Sequence, residues 1–213
     1  MKVIFCIPGN NFTNRFLKCW TRLTQDLNAK DIEYELLSEY IPNVYLARSL
    51  LLGGADGMRP SNPKSQTQPW QGKKEYDYIM WIDSDQVFEP KQFFKLLEHD
   101  KDIVSGLYFR QPPGGKWDDV PISYACLVEQ TRGLYSHDID GSLIKVWGNG
   151  MGWMLIKKGV FEKVSYPWFA PIHEGIGIHG EDTSFQIRAR EAGFDSFVDT
   201  SIIVGHEKNV VLI

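Results

Sequence analysis

Short apolar runs alternate with amphipathic segments along the first half of the chain. Four runs have the length and the β-branched or aromatic content of strands: Lys2 to Ile7, Ile32 to Leu37, Tyr76 to Ile82, and Ile103 to Phe109. Three segments between them have the apolar spacing or the end signals of helices: Thr13 to about Ala29, Val44 to Leu52, and Pro90 to Leu97. This order predicts an α/β fold in which helices flank a mostly parallel central sheet.

The pattern changes after Phe109. Turn residues at Pro112 to Gly115 and at Asp140-Gly141 separate the strand-like runs Ile122 to Val128 and Leu143 to Trp147, which favours hairpins. The later predicted elements are a strand at Trp153 to Ile156, helices at Lys158 to Val164 and Glu181 to Ala192, and β-like runs at Phe197-Val198 and Ile202 to Val204. The second half is expected to add a smaller antiparallel element.

The stretch from Ala55 to Lys74 interrupts this alternation. It is rich in Gly, Ser, Asn, Gln and Lys, and Pro60, Pro63 and Pro69 block regular structure within it. We interpret it as a tolerated surface insertion or, alternatively, as a lid near a functional site.

The composition is typical of one globular domain spanning residues 1–213. The chain is 43% hydrophobic and 13% aromatic, which is enough for a well-packed core. A net charge of −4 argues against nucleic acid or an anionic membrane as the main partner, because both attract basic surfaces.

The cysteines and the N-terminus indicate a cytoplasmic protein without a membrane span. Cys6, Cys19 and Cys126 are odd in number and contain no CxxC pair, so we expect neither a disulfide framework nor a structural zinc site. The first apolar run meets Pro8-Gly9 after five residues, too early for a signal segment or a transmembrane helix.

Two carboxylates, Asp83 and Asp85, directly follow the most apolar predicted strand. Carboxylates at this spacing suit a hard divalent cation, and ligands of open α/β sheets bind beyond the carboxyl ends of the strands. The alternative is a capping role before the helix at Pro90. The same spacing recurs at Asp100/Asp102 and Asp138/Asp140, where loop and turn roles explain it. The spacing alone is therefore a weak signal.

Three later motifs strengthen the interpretation of Asp83 and Asp85 as a metal site: a glycine-rich segment at Gly148 to Gly152, the pair Glu181-Asp182 at a helix start, and His206 after a β-like run. With IDSD, GNGMGW, GED and VGHE in this order, the chain resembles the GT-A glycosyltransferases that use nucleotide-diphosphate sugars. FCIPGN is similar to the family's first strand and base-binding loop, and YLARSLLL to its helix with a phosphate-binding arginine. The small stand-alone enzymes of bacteria and phages are the most similar members.

The resemblance implies a single GT-A domain, with a nucleotide-binding half (residues 1–110) and an acceptor and donor-sugar half (residues 111–213). It implies that Mn²⁺, or Mg²⁺, binds Asp83, Asp85 and His206, with Asp85 in direct contact and Asp83 facing the ribose or a metal-bound water. His206 would favour Mn²⁺, since imidazole is a poorer ligand for Mg²⁺. The implied donor-binding residues are Pro8, Gly9, Asn10, Arg48, Asp83, Ser84, Gly150, Met151 and Gly152.

The expected function is metal-dependent transfer of a hexose, by family frequency from a UDP-sugar, to a hydroxyl of an unknown glycan, lipid, protein or small molecule. Asp182 would be the general base if the reaction inverts the anomeric carbon, and would orient the acceptor if it retains configuration. Glu181 would hold acceptor hydroxyl groups. Without the resemblance, both acids also suit a helix N-terminus.

Two alternatives stay open. A sugar-phosphate nucleotidyltransferase also begins with a βαβ nucleotide-binding half, but PGNNFTN lacks the glycine-rich basic loop expected after its first strand. A non-catalytic module that binds sugar nucleotides or glycans is the other, and the complete set of acidic motifs speaks against it.

Overall fold

The computed structural model describes residues 1–54, 68–109 and 123–208. Residues 55–67 of the predicted insertion and the turn at Pro112 to Gly115 lie outside the described residues. The described helices are α1 (Asn14–Ala29), α2 (Val44–Leu51), α3 (Pro90–Glu98), α4 (Val160–Lys163) and α5 (Glu181–Glu191), with 3-10 turns at Pro69–Gly72 and Ser136–Asp138. The described strands are β1 (Lys2–Pro8), β2 (Glu33–Glu39), β3 (Tyr78–Ile82), β4 (Gln86–Val87), β5 (Ile103–Leu107), β6 (Ser123–Glu129), β7 (Arg132–Tyr135), β8 (Leu143–Val146), β9 (Gly148–Asn149), β10 (Trp153–Lys157), β11 (Ile172–Glu174), β12 (Gly177–His179), β13 (Ser196–Ile203) and β14 (Gly205–His206).

A central sheet of seven strands has the order β2-β1-β3-β10-β5-β13-β8. β1 is parallel to both β2 and β3, and β13 is parallel to β5. β10 lies antiparallel between β3 and β5, and β8 is antiparallel to β13. The prediction of a mostly parallel sheet is confirmed, with one antiparallel strand inserted at its centre.

Small antiparallel sheets lie outside the central sheet. β6 pairs with β7 and β9, β11 pairs with β12, and β14 pairs with β4. They confirm the predicted antiparallel element of the second half, and the β14–β4 pair brings the C-terminal part of the chain back to the segment that follows β3.

The core lies on both faces of the central sheet. Alternate residues of β1 face opposite sides: Val3, Phe5 and Ile7 pack in one cluster, and Ile4 and Cys6 in another. The first cluster includes buried residues of α1 and α3, and the second includes those of α2, α4 and α5. Burial on both faces explains why the parallel strands have nearly continuous apolar runs.

β13 differs from the prediction, because one strand of eight residues covers the first predicted β-like run, the second as far as Ile203, and the polar residues between them. Asp199, inside the strand, is 1% exposed, and its Oδ2 lies 2.7 Å from Nε2 of His99 and 3.0 Å from Nζ of Lys95. Partners from the end of α3 satisfy the carboxylate, so the strand continues through it.

Within the described residues, Cys6, Cys19 and Cys126 are free and buried. No helix in the described ranges is long and apolar enough to cross a membrane.

Candidate active site

Two predicted motifs meet at the carboxyl ends of the neighbouring parallel strands β1 and β3. β1 ends at Pro8 and β3 at Ile82, so Gly9 and Asp83 follow at the same edge of the sheet. A Cβ on Gly9 would lie 2.4 Å from Oγ of Ser84, and the φ of Gly9 is +147°. Both observations require glycine at this position and place it against Ser84.

Arg48 joins Asp83 to the distant acidic pair. Its side chain is 2% exposed, and it donates from Nη2 to Oδ1 of Asp83 at 2.9 Å and from Nε to Oε1 of Glu181 at 3.4 Å. Nη1 is buried without a hydrogen-bond partner in the described part of the chain. An unpartnered buried N–H is costly, which supports the predicted contact of Arg48 with a ligand phosphate.

Asp182 lies in the first turn of α5, next to Glu181. Burial and the Glu181 carboxylate raise the pKa of Asp182 to about 6, against opposing effects of the Thr183 N–H and Arg48. The Thr183 N–H donates to Oδ1 at 2.7 Å, and Oδ2 has no hydrogen-bond partner among the described residues. A carboxyl group with this pKa and a free oxygen suits a proton acceptor near neutral pH.

The glycine-rich segment is packed around the Tyr108 hydroxyl. The N–H of Gly152 donates to this hydroxyl at 3.2 Å, and the carbonyl of Gly152 accepts from the Asp83 N–H at 3.0 Å. A Cβ on Gly150 would lie 1.9 Å from Oη of Tyr108, so glycine is required for close packing. The rings of Tyr108 and His206 also contact each other in a T-shaped arrangement, with 5.1 Å between their centroids.

Gln186 fixes this segment to α5. Its Oε1 accepts from the N–H of Asn149 at 3.0 Å, and its Nε2 donates to the Asn149 carbonyl at 2.5 Å. The Asn149 side chain, in turn, donates to Oγ of Ser105 at 2.8 Å and to the Gly106 carbonyl at 3.1 Å. These buried hydrogen bonds hold the helix of Asp182 at a fixed position relative to the central sheet.

Asp85 and His206 form a separate pair beside Asp83. Oδ2 of Asp85 lies 3.2 Å from Nε2 of His206 and accepts from Nζ of Lys208 at 2.6 Å. Nδ1 of His206 donates to the Phe109 carbonyl at 2.7 Å, which leaves Nε2 facing Asp85, where it binds the carboxylate through a proton or a metal through its lone pair. Burial opposes ionisation of Asp85, but the His206 and Lys208 hydrogen bonds lower its pKa to about 2.

The other predicted donor-binding residues differ in exposure. Pro8 is buried, and Asn10 is exposed at the edge of the site. Met151 is 1% exposed and belongs to the second core cluster, so a donor contact there is restricted to its backbone.

The remaining Asp-x-Asp sequences have the structural roles that the sequence indicated. Oδ1 of Asp100, in the loop after α3, accepts from Nζ of Lys157 at 2.6 Å. Oδ1 of Asp140, in the turn before Gly141, accepts from the Ser142 N–H at 2.9 Å.

A cavity of about 550 Å³ opens beside Asp182, between α5, β9 and the β6–β7 hairpin. Thr183, Gly150 and Tyr124 contribute to its lining. A larger cavity of about 860 Å³ lies elsewhere, beside Cys19, Phe88 and Ile203, and contains none of the predicted site residues. The smaller cavity therefore offers space for a ligand next to Asp182, the predicted base.

The sequence reasoning missed three residues of the site: Tyr108, Gln186 and Lys208. Tyr108 falls in the last predicted strand of the first half, and Gln186 falls in a predicted helix that its other residues already identify. No local pattern therefore marks either of them as part of a site. Lys208 follows His206 by two positions, and this closeness in sequence is the feature that could have pointed to its place in the site.

No protein-family model and no curated protein matches the chain. Among solved structures, it is similar to A197 from STIV, with a TM-score of 0.56 and 19% identity over 98% of this chain and 87% of that one. It is also similar to the catalytic domain of Drosophila β1,4-galactosyltransferase 7 in complex with xylobiose, with a TM-score of 0.52 and 15% identity over 98% of this chain and 71% of that one.

At these identities the likeness concerns the fold and leaves the role of each residue to the geometry of the site. It confirms the architecture that the ordered motifs from IDSD to VGHE predicted. The chain has a GT-A-like fold, which it shares with these two structures.

Proposed function

We propose that the chain is a metal-dependent glycosyltransferase that moves a hexose from a nucleotide-diphosphate sugar, with UDP-sugars as the expected donors, to a hydroxyl acceptor. The Arg48 bridge carries the proposal, because it joins Asp83 on the nucleotide side to Glu181 on the acceptor side. Sugar transfer requires the donor and the acceptor to lie next to each other, because the new bond forms between them. The contact brings these two sides together although 133 residues separate Arg48 from Glu181 in the sequence.

The chain's own residues supply the acid–base and electrostatic chemistry. In an inverting reaction, Oδ2 of Asp182 accepts the proton of the acceptor hydroxyl. The oxygen of that hydroxyl attacks the anomeric carbon, and the bond between this carbon and the diphosphate breaks. The buried Arg48 guanidinium stabilises the negative charge that grows on the diphosphate. Glu181 orients the acceptor hydroxyl groups. If configuration is retained, Asp182 orients the acceptor instead.

Asp85 and His206 would hold Mn²⁺ or Mg²⁺, which would add positive charge at the leaving diphosphate. Their Oδ2 and Nε2 atoms lie 3.2 Å apart, so an oxygen and a nitrogen ligand stand side by side, which suits one divalent ion. Over the described ranges, no group of three or more His, Cys, Asp or Glu side chains is arranged around one point. Diphosphate oxygens and water would therefore complete the coordination, and Asp83 stays a predicted partner of the ribose or a metal-bound water.

The test is a donor screen with Mn²⁺ that measures release of nucleoside diphosphate from a panel of sugar nucleotides. With the best donor, Asp182→Asn is expected to lower turnover by about a hundredfold or more while donor affinity is retained. Glu191→Gln, at the other end of the same helix, is the matched control and should leave turnover unchanged.

Undiminished turnover in Asp182→Asn would contradict the assigned base. Pyrophosphate formation from a nucleoside triphosphate and a sugar phosphate would indicate a nucleotidyltransferase instead. Tight binding of sugar nucleotides without transfer on a broad acceptor panel would indicate a binding module.

A further inference from the structure

Tyr108 follows β5 and lies where three parts of the site meet. Its carbonyl accepts from the Ala125 N–H of β6 at 3.0 Å, its ring contacts His206, and its hydroxyl reaches the segment between Gly150 and Gly152. The side chain is 7% exposed and belongs to the first core cluster. Its position is therefore fixed by packing.

The hydroxyl of this side chain has one partner in the described part of the chain. It accepts the N–H of Gly152 at 3.2 Å, and no acceptor for its own proton lies among the described residues. A phenol O–H is both a donor and an acceptor, so accepting the Gly152 N–H leaves its own proton available. A buried phenol O–H usually has an acceptor, and its absence points to a ligand.

The position of the hydroxyl identifies the part of the ligand. The point that a Cβ on Gly152 would occupy lies 2.9 Å from Oδ2 of Asp83 and 3.0 Å from Cζ of Tyr108, so the phenol and this carboxylate are neighbours. Gly150, against which the hydroxyl lies, lines the same cavity as Asp182, which the proposed function assigns to the acceptor side. Only the transferred group must lie between a nucleotide and an acceptor, because the new bond forms there.

We propose that the Tyr108 hydroxyl donates a hydrogen bond to an oxygen of the transferred sugar and thereby selects the donor. This rests on the proposed glycosyltransferase function. Gly150 and Gly152 leave room for the phenol at this position, because a Cβ on either residue would crowd it. A donor whose sugar lacks a hydroxyl at that position loses the hydrogen bond and leaves the phenol unpaired.

The experiment compares two ligands on two phenylalanine variants. Tyr108→Phe keeps the ring and removes only the hydroxyl, and calorimetry with Mn²⁺ measures the affinities for UDP and for the UDP-sugar that the donor screen identifies. The affinity for the UDP-sugar is expected to fall about fivefold, whereas the affinity for UDP stays within about twofold. Tyr76→Phe is the matched control: this phenol is also buried, and it donates to Glu162 at 2.8 Å away from the site.

A structural role alone would weaken UDP and the UDP-sugar equally, and that result would overturn the inference. So would equal weakening by Tyr76→Phe, or unchanged affinity for the UDP-sugar in Tyr108→Phe. If the wild-type chain binds no sugar nucleotide at all, the proposed function itself fails. A tight wild-type complex that Tyr108→Phe leaves unaffected removes this inference alone.

Discussion

Arg48 and Asp83 form a 2.9 Å ion pair in which the arginine is almost completely buried, and the same guanidinium contacts Glu181. Replacement by methionine leaves two carboxylates without their cation. We expect Arg48→Met to lower the free energy of unfolding by about 3 kcal/mol, because the carboxylates that stay behind are largely removed from water and lose their compensating charge. Urea denaturation measures this.

Arg132→Met is the control for this variant. Arg132 pairs with Asp138 at 2.8 Å, but its side chain is 56% exposed. A surface pair of this kind contributes less than about 1 kcal/mol. Equal losses for the two variants would show that Arg48 does not act as a buried bridge.

Glu181 and Asp182 predict the pH dependence of turnover. The general base must be ionised, so kcat/KM should rise with pH through the Asp182 pKa of about 6. The Glu181 charge raises that pKa, and Glu181→Gln should therefore move the rise to lower pH. A pH–rate profile of wild type, Glu181→Gln and the Glu191→Gln control measures the shift. Movement toward higher pH would contradict the assignment.

Asp199 predicts acid-dependent stability away from the site. Burial opposes its ionisation, but hydrogen bonds from Ser201, His99 and Lys95 lower its pKa from 3.8 to about 2. The folded state therefore binds fewer protons than the unfolded state, and the ionised Asp199 with its partners stabilises the fold above pH 3.8. Asp199→Asn should cost about 2 kcal/mol at pH 7.

This loss should shrink as pH falls from 3.8 toward 2, since the wild-type carboxylate is then protonated too. Asp195→Asn, which removes a surface pair with Lys145, should show a small effect at every pH. Urea denaturation at several pH values separates the two. A pH-independent loss for Asp199→Asn would mean that packing, not charge, is responsible.

The fold was predictable where local pattern and tertiary structure agree. Val3 to Ile7 and Ile79 to Ile82 are buried on both faces, so their apolar runs identified parallel strands directly. The insertion of β10 between β3 and β5 was not predictable, because a run of five residues does not specify its neighbours. Asp199 hid the continuity of β13, since its partners lie about 100 residues away in sequence.

The site was predictable to the level of motifs and not of contacts. Asp83, Glu181 and Asp182 stood out because acidic residues follow or open regular elements there. Their connection through Arg48 required the tertiary structure, since the motif assigned that arginine to phosphate only. Tyr108 left no trace in the sequence, because one tyrosine at a strand end is ordinary.

Lys208 places a cation on the carboxylate that is assigned to the metal. Its Nζ lies 2.6 Å from Oδ2 of Asp85, on the oxygen that also faces His206. The register explains this: β14 pairs with β4, and the Glu207 N–H donates to the Asp85 carbonyl at 2.8 Å, so residue 208 follows beside Asp85. A divalent ion bound to Asp85 as we propose would therefore compete with the ammonium for one oxygen.

Lys208→Met should consequently tighten Mn²⁺ binding about threefold, because the competing ion pair is lost. His206→Gln should weaken it by about tenfold or more, because a ligand nitrogen is lost. Calorimetry with Mn²⁺ alone measures both without substrate. Lys145→Met removes the same charge from a surface pair with Asp195 and should change the affinity little. Weaker binding in Lys208→Met would show that the lysine supports the metal site, since loss of a mere competitor can only strengthen binding.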